Sequence, residues 1–195
     1  TIEGISTPLA SKAKIDMVIV RENTEDLYAG VEHMVGDDAA ESIKIITRKG
    51  CERIIDFAVT TLVKRQNSSQ DEKGRRLTSV HKANIMKLTD GLFLDTFRKR
   101  FELFKSRAKF DIGFGVEFDD RIIDNMCMQL IQRPETFDVI VTENLYGDII
   151  SDLCAALVGG LGVAPGANIG DDYAVYEAIH GTAPDIAGKN MANPT

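Results

Sequence analysis

The sequence lacks long apolar runs and has no excess of basic residues. It carries 23 Lys and Arg against 30 Asp and Glu, which gives a net charge of −7, and its isoelectric point is about 5.0. Its longest basic run, Arg98-Lys99-Arg100, is too short to form a surface for nucleic acid or anionic membrane. No apolar stretch reaches the roughly 20 residues of a transmembrane helix, and no signal peptide is recognised. Neither nucleic acid nor a membrane is therefore an expected partner.

Cysteine is also scarce. The chain has three cysteines, Cys51, Cys127 and Cys154, and no two of them have CxxC spacing. An odd number without that spacing fits neither a disulfide framework nor a zinc motif. Each lies within an apolar helical pattern, which predicts reduced thiols in the core of an intracellular protein.

What the sequence does have is an alternation of short β-branched runs and stretches with helical periodicity. Strands are predicted at 15–20, 77–80, 110–116, 139–141 and 173–179, and helices at 51–65, 89–104, 119–133 and 148–158. Strands that alternate with helices predict an α/β fold with a substantial sheet.

The remaining segments predict a hairpin and two loops. The hairpin has partial strands at 30–34 and 42–47, and two strands alone are only marginally stable. An exposed loop is predicted at 66–76. A flexible connection is predicted at 159–170, because its glycines follow a helix and do not complete the GxGxxG dinucleotide motif. The chain begins at Thr1 and ends without a closing helix, so we expect it to be part of a longer protein.

Four polar motifs each follow a predicted strand, where α/β proteins place their ligand sites. They are Arg-Glu-Asn-Thr-Glu-Asp-Leu-Tyr at 21–28, Val-His-Lys-Ala-Asn-Ile-Met-Lys at 80–87, Asn-Leu-Tyr-Gly-Asp-Ile-Ile-Ser-Asp at 144–152, and His-Gly-Thr-Ala-Pro-Asp-Ile-Ala-Gly at 180–188. An arginine such as Arg21 can hold a carboxylate through two parallel hydrogen bonds. A salt-bridged surface loop is the alternative interpretation of Arg21.

In this order the four motifs resemble the β-decarboxylating dehydrogenases, the family of isocitrate, homoisocitrate and 3-isopropylmalate dehydrogenases. The resemblance extends from about Ile15 to the last residue and is strongest to the NAD-dependent isocitrate dehydrogenases. It implies that family's fold, with a small domain, a clasp-like β-arm and part of a large NAD-binding domain. The small domain would comprise 1–25 and 61–158, the arm with the start of its helix 26–60, and the large-domain part 159–195.

The resemblance also implies a metal site. Asp148 and Asp152 lie four residues apart, so in a helix they lie on the same face. On their own they could be a helix-opening charge (Asp148) and a solvated one (Asp152). In the family they bind Mg²⁺ or Mn²⁺, which prefer oxygen ligands, together with the residue that matches Asp124 from a neighbouring subunit. A homodimer or higher oligomer with shared active sites is therefore expected.

The acid–base roles implied by the resemblance belong to Lys82, Tyr28 and Asp148. Lys82 is the expected proton acceptor, directly or through Asp148, because burial beside a metal would lower its pKa from about 10.4. Tyr28 is the expected proton donor, assisted by nearby positive charge. An ordinary surface lysine and a tyrosine that pins the hairpin base are the alternatives. The expected substrate-binding residues are Arg21, Tyr28, Lys82 and Asn84.

The last motif resembles the family's NAD-binding loop. Gly181 allows close backbone approach, and exposed amides can bind phosphate oxygens. The carboxylate of Asp185 could accept hydrogen bonds from both adenosine ribose hydroxyls and would repel a 2′-phosphate, which predicts NAD rather than NADP. The expected cofactor-binding residues are His180, Gly181, Thr182, Ala183, Asp185, Ile186 and Asn193.

The expected reaction is the oxidative decarboxylation of isocitrate, a 2-hydroxy tricarboxylate, to 2-oxoglutarate in the tricarboxylic acid cycle. Homoisocitrate and 3-isopropylmalate stay open as substrates, although 3-isopropylmalate enzymes differ at 23–28, because the family's specificity segment would precede Thr1. The alternative from another class is a non-catalytic regulatory subunit of a hetero-oligomeric isocitrate dehydrogenase. It is disfavoured because this chain keeps Tyr28, Lys82 and all three aspartates. The expected location is the cytoplasm, or the mitochondrial matrix in a eukaryote.

Overall fold

The structure, a computed structural model, describes residues 15–68, 75–106 and 116–191. Its strands are β1 (Val18–Arg21), β2 (Glu32–Val35), β3 (Ala39–Ser42), β4 (Arg76–His81), β5 (Glu117–Ile122), β6 (Val139–Thr142), β7 (Pro165–Ile169) and β8 (Ala174–Ala178). Its α-helices are α1 (Arg48–Ser68), α2 (Thr89–Ser106), α3 (Ile123–Gln132) and α4 (Asn144–Val158). Asp16–Ile150 form one compact unit, and the residues from Ser151 onward belong to a second. None of the helices in the described ranges is both long and apolar enough to span a bilayer.

The first unit contains a parallel sheet of four strands in the order β1-β6-β4-β5. The central strand β6 is buried along its whole length, which explains its continuous Val-Ile-Val-Thr sequence. The predicted α/β class is confirmed. The division into small domain, arm and large-domain part stays a prediction.

One face of α1 packs against this sheet. The helical period predicted for 51–65 is confirmed, because its apolar positions are buried at intervals of three and four residues. The buried members are Cys51, Ile55, Ala58, Val59 and Leu62, and they contact Val20, Leu77, Phe93, Phe97, Val139 and Val141. All three cysteines are free, but Cys127 is only half-buried, contrary to its predicted core position. Burial raises the pKa of Cys51 to about 12.

The helix predicted at 119–133 is wrong at its start, where Asp119 and Asp120 lie in β5. This strand pairs only with β4 in the described sheet, and an edge strand tolerates charged residues. Thr78 Oγ1 donates to Asp119 at 2.7 Å, and Arg121 forms an ion pair with Asp119 at 2.8 Å. Of the strand predicted at 110–116, residues 110–115 lie outside the described residues.

The helix α4 begins four residues earlier than predicted, at Asn144. Asp148 therefore lies one turn inside the helix, and the interpretation that it opens the helix is wrong.

The hairpin is confirmed, but its second strand is Ala39–Ser42 rather than 42–47. Both strands are exposed along their whole length.

In the second unit, β7 pairs antiparallel with β8. The predicted strand at 173–179 is therefore confirmed. The predicted flexible connection at 159–170 is wrong over Pro165–Ile169, because the partner strand supplies hydrogen bonds that a glycine-rich composition does not reveal. Pro165 is the first residue of its strand, a position where its missing N–H is tolerated.

Candidate active site

The ends of three parallel strands bring three of the four motifs to one edge of the sheet. β1 ends at Arg21, β4 ends just before Lys82, and β6 ends just before the first turn of α4. Because neighbouring strands in the order β1-β6-β4 run in the same direction, the residues that follow them lie side by side. This is the edge at which α/β proteins bind ligands.

Arg21 lies against the first turns of α4. Its Nε donates to Asn144 Oδ1 at 2.9 Å, and its Nη1 donates to Asp148 Oδ1 at 2.6 Å. The guanidinium carbon is 5.2 Å from the centroid of the Tyr28 ring, within cation–π range. Arg21 does form a salt bridge, as the surface-loop interpretation expected, but its partner, Asp148, is another predicted site residue. The side chain is 28% exposed and accessible to a ligand carboxylate.

Tyr28 shares the Asp148 carboxylate with Arg21. Its hydroxyl donates to Asp148 Oδ2 at 2.6 Å. This hydrogen bond is the largest influence on both groups: it raises the pKa of Tyr28 and lowers the pKa of Asp148. The sequence led us to expect that nearby positive charge would dominate. The structure instead places a carboxylate at the phenol, and the positive charge of Arg21 is a smaller influence in the opposite direction.

A short 3₁₀ turn, Leu27–Ala29, fixes the position of Tyr28. At its start, Asp26 Oδ1 accepts a hydrogen bond from Leu27 N at 2.8 Å. At its end, Gly30 has a φ of 67° and donates its N–H to Leu27 O at 3.1 Å. Glycine adopts this left-handed conformation without steric cost. The Tyr28 hydroxyl bonds to α4 rather than to the hairpin, which disfavours a role in pinning the hairpin base.

Lys82 and Asp124 form a second group. Lys82 Nζ makes an ion pair with Asp124, in the first turn of α3 of the same chain. This hydrogen bond lowers the pKa of Asp124. The Asp124 side chain is 69% exposed, so a different partner could reach it. Asn84, two residues after Lys82, is exposed.

The predicted metal ligands are Asp124 in α3 and Asp148 and Asp152 in α4. In 15–68, 75–106 and 116–191, no group of three His, Cys, Asp or Glu is placed to hold an ion. The chemistry of the donors still fits Mg²⁺ or Mn²⁺, because Asp124, Asp148 and Asp152 all offer carboxylate oxygens. All three are accessible, since Asp152 is exposed and Asp148 is about half exposed. The ion site stays a prediction that needs Asp124 from a second copy.

The predicted NAD-binding residues lie in the second unit. His180, Gly181, Thr182, Ala183 and Asp185 are exposed, and Ile186 is half-buried. Ala183 has a φ of 42° and precedes a 3₁₀ turn at Pro184–Ile186. The Asp185 carboxylate and the neighbouring backbone amides are thus accessible to a ligand. Asn193 lies outside the described residues.

A family model described as isocitrate/isopropylmalate dehydrogenase matches residues 2–195. This chain belongs to the isocitrate/isopropylmalate dehydrogenase family. The resemblance inferred from the four motifs is confirmed.

The family's known members include several with high similarity to this chain. Homoisocitrate dehydrogenase from Methanocaldococcus jannaschii is 50% identical over 180 residues, which cover 92% of this chain and 47% of that protein. Human mitochondrial isocitrate dehydrogenase [NAD] subunit alpha is 45% identical over 196 residues, which cover 100% of this chain and 48% of that subunit. The crystal structure of isocitrate dehydrogenase from Methylococcus capsulatus matches with a TM-score of 0.85 at 48% identity, covering 100% of this chain and 53% of that one. The chain spans about half the length of the curated relatives it matches.

In this dehydrogenase-family chain, sequence analysis missed two residues of α4 that hold Arg21. Asn144 accepts the hydrogen bond from Arg21 Nε and donates its Nδ2 to Glu25 O at 3.0 Å. Gly147 allows the arginine stem to pass close to the helix. A Cβ added at Gly147 would lie 2.8 Å from Cβ and 2.9 Å from Cδ of Arg21, closer than van der Waals contact permits. Glycine inside a helix is unfavourable, so the glycine at position 147 was the sequence signal that could have indicated a close contact there.

Gly147→Ala should therefore destabilise the protein even though alanine favours helix. We expect the free energy of unfolding to fall by about 1–3 kcal/mol, because the clash involves the inflexible base of the Arg21 side chain. The matched control is Gly91→Ala in α2, where an added Cβ meets nothing within 4 Å. That variant should be neutral or gain up to about 1 kcal/mol. Urea denaturation of both variants checks the prediction, and equal stabilisation would contradict the close packing of Arg21 on α4.

Proposed function

We propose that this chain is part of a metal-dependent, NAD-linked dehydrogenase that oxidatively decarboxylates isocitrate to 2-oxoglutarate. The observation that carries the proposal is the meeting of Arg21, Tyr28 and Asp148 at the strand edge that also holds Lys82. Arg21 would bind a carboxylate, and Tyr28 would donate a proton. Asp148 would be a metal ligand, and Lys82 would accept a proton. Membership of the isocitrate/isopropylmalate dehydrogenase family supports the reaction type.

Each residue of the site has one step in the proposed reaction. Arg21 binds a substrate carboxylate with the guanidinium nitrogens that now donate to Asn144 and Asp148. Lys82, as the neutral amine, accepts the proton of the C2 hydroxyl, directly or through Asp148, while the C2 hydride passes to NAD⁺. Loss of CO₂ from C3 leaves an enol, and Tyr28 protonates C3. The Tyr28 phenol carries the proton that this step needs, since its hydroxyl donates to Asp148, and the charge of Arg21 opposes the rise in its pKa that Asp148 causes.

Asp124, Asp148 and Asp152 are the residues that would hold Mg²⁺ or Mn²⁺. When bound, the ion would act as a Lewis acid that stabilises negative charge on the substrate oxygen. Arg21 and Tyr28 donate to the two oxygens of Asp148, and Lys82 pairs with Asp124.

A second copy of the chain is the proposed macromolecular partner. The hairpin presents exposed apolar side chains on a two-stranded unit that is only marginally stable alone. These are Val31, Met34, Val35 and Ile43. We infer that the hairpin pairs with the same hairpin of another subunit, and that the exposed Asp124 of one subunit completes the ion site of the other.

NAD is the proposed cofactor, and Asp185 is the residue expected to exclude a 2′-phosphate. Its exposed position beside the backbone amides of 181–183 supports this assignment. The mitochondrial origin of the human relative is compatible with a location in the mitochondrial matrix if the source is eukaryotic, and the cytoplasm is proposed otherwise.

Homoisocitrate is a second candidate substrate. A homoisocitrate dehydrogenase is at least as similar to this chain as the NAD-dependent isocitrate dehydrogenase subunits are, with 50% against 45% identity. The two substrates differ in side-chain length and share the C2 hydroxyl and C3 carboxylate on which the proposed residues act.

Turnover by the full-length protein tests the proposal. With Mn²⁺ and NAD we expect NADH formation with isocitrate to exceed that with homoisocitrate and 3-isopropylmalate.

Tyr28→Phe should lower kcat by about 10²–10³-fold with little change in KM, because the ring stays but the C3 proton donor is lost. The matched control, Tyr176→Phe, alters an exposed tyrosine of β8 and should leave kcat unchanged. Absence of turnover with all three substrates would favour a regulatory subunit, and an active Tyr28→Phe would remove Tyr28 from the mechanism.

A further inference from the structure

A buried lysine lies behind the candidate site, and neither the sequence analysis nor the proposed reaction gives it a role. Lys44 Nζ donates to Asp90 Oδ1 at 2.6 Å and to Glu143 Oε2 at 2.7 Å. A third carboxylate, Asp26, is 3.8 Å away. The Lys44 side chain is 10% exposed, and the three acidic side chains are 1% exposed or less. Four ionisable groups are thus removed from solvent at one point, and we call them the Lys44 cluster.

The three carboxylates of the Lys44 cluster belong to three different segments of the site. Asp26 accepts hydrogen bonds from Leu27 N at 2.8 Å and Leu145 N at 2.9 Å, so it joins the Tyr28 turn to the start of α4. Asp90 accepts from the backbone N–H of Lys82 at 2.7 Å. It thereby fixes the loop that presents the Lys82 side chain.

The third carboxylate connects the cluster to Arg21. Glu143 directly precedes Asn144, whose side chain bonds to Arg21. Tyr146, also on α4, donates its hydroxyl to Asp90 at 3.0 Å, and Lys44 Nζ is 4.6 Å from the centre of its ring. A single ammonium group therefore connects the segments that carry Arg21, Tyr28, Lys82 and Asp148.

Stability alone is a weak reason for such a cluster. Taking charges out of water is costly, and replacing a buried ion pair by apolar residues is often neutral or stabilising. The cluster also holds Asp26 at a φ of 78°, a backbone conformation that is uncommon outside glycine. The strained backbone of Asp26 and the buried charges of the Lys44 cluster lie beside the candidate site. Their position indicates that they fix the geometry of that site.

On the basis of the proposed function, we propose that Lys44 is a positioning residue. Its ammonium group holds the Tyr28 turn, the Lys82 loop and the start of α4 in the arrangement that the reaction needs. Lys44 reaches neither the predicted substrate binders nor the predicted metal ligands among its described contacts, so it acts through the backbone of these segments.

The test begins with Lys44→Met in the full-length protein, which keeps most of the apolar stem and removes the ammonium. We expect kcat to fall by about 10- to 100-fold, the size of effect that a displacement of about 1 Å can produce. The Kd for NAD should stay unchanged, because the predicted NAD-binding residues lie outside the cluster. The matched control, Lys99→Met, removes an exposed lysine that pairs with Asp95 on the same helix, and it should behave as the wild type.

A second condition separates positioning from stability. Lys44→Met leaves the Asp26 and Asp90 carboxylates uncompensated, so its melting temperature should fall, and sucrose, which is excluded from the protein surface, should recover much of the loss. If Lys44 positions the site, kcat of Lys44→Met in sucrose stays at least about tenfold below that of the wild type in sucrose while the melting temperature recovers. Recovery of kcat together with stability would overturn the proposal, as would a wild-type kcat for Lys44→Met.

A readout without catalysis distinguishes failure of this inference from failure of the proposed function. Amide hydrogen exchange should accelerate in Lys44→Met at Leu27, Lys82 and Leu145, whose N–H groups donate to the Asp26 and Asp90 carboxylates. The expected increase is at least tenfold relative to core amides of β6. Unchanged exchange at these three amides would refute the inference even if the enzyme were inactive on every substrate tried.

Discussion

Replacing Lys82 by methionine should lower kcat by about 10³-fold, within the range of 10²–10⁴ typical for a positioned proton-transfer group. Methionine keeps an unbranched apolar side chain of similar length but cannot accept a proton. KM for the substrate should change by only a few-fold, because Arg21, which is proposed to bind the substrate carboxylate, is untouched. Steady-state NADH formation by the full-length protein with isocitrate and Mn²⁺ measures both constants.

The matched control for this prediction is Lys87→Met, an exposed lysine in the same loop. Its kcat should equal that of the wild type. The two lysines lie five residues apart and differ in one respect that matters here, since only Lys82 pairs with Asp124. A Lys82→Met enzyme with more than a tenth of the wild-type kcat would mean that another group takes the hydroxyl proton.

Local sequence signals predicted the framework of the first unit. The apolar face of α1 repeats every three to four residues, and the β-branched run of β6 has no polar interruption, so each element could be recognised alone. The positions of Arg21 and Lys82 after β1 and β4 followed from the rule that ligand sites lie at the carboxyl ends of parallel strands. Boundaries were less predictable, because Asp119 and Asp120 of β5 are half-buried and bond to Thr78 and His81 of β4.

The Lys44 cluster could not be predicted, for a physical reason. Its carboxylates are far apart in sequence, with Asp26 and Glu143 separated by more than a hundred residues, and periodicity carries no information about which polar side chains meet. The sequence showed a lysine at the end of a hairpin and acidic residues beside helices, which are ordinary surface patterns. Tertiary packing buried them together. The same limit explains why the bond from Tyr28 to Asp148 was unexpected although both residues were predicted to belong to the site.

Burial gives Glu143 an effect on stability that depends on pH. Burial is the main cause that raises the pKa of Glu143 to about 8, and Asp90 and Asp26 add to it while Lys44 opposes it. Glu143 Oε1 is also buried without a hydrogen-bond partner among the described residues, which disfavours the ionised form. Since this cluster has three carboxylates and one ammonium, the structure favours a protonated Glu143 at neutral pH.

The sign of the effect follows from the two pKa values. The unfolded chain releases the Glu143 proton near its ordinary pKa of 4.5, whereas the folded chain keeps it to about 8. Between these values the folded state binds more protons, so the free energy of unfolding falls as pH rises. The stabilisation is complete below the unfolded pKa and is lost as pH passes the folded pKa. Its total is on the order of 5 kcal/mol, at about 1.4 kcal/mol per pH unit.

Other shifted groups titrate outside this window. The raised pKa values of Lys44, Tyr146 and Cys51 act above it. The lowered pKa values of Glu22, Asp120, Asp124 and Asp148 act below it, since these carboxylates contribute stability that is lost as pH falls through their folded values. Among the shifted groups of the residues that the structure describes, Glu143 is therefore the main one to titrate between about pH 5 and 8.

Glu143→Gln should remove this pH dependence. The neutral amide mimics the protonated acid, so wild type and variant should have similar stability near pH 5. By pH 8.5 the variant should be more stable by up to about 4 kcal/mol, because only the wild type must bury a charge there. Urea denaturation of the full-length protein at intervals of half a pH unit measures the difference.

The control is Glu102→Gln, which changes an exposed glutamate that lies 3.7 Å from Lys105. Its stability should equal that of the wild type at every pH. A stability difference between Glu143→Gln and wild type that does not change with pH would show that Glu143 is already ionised in the folded protein, and that Lys44 balances its charge.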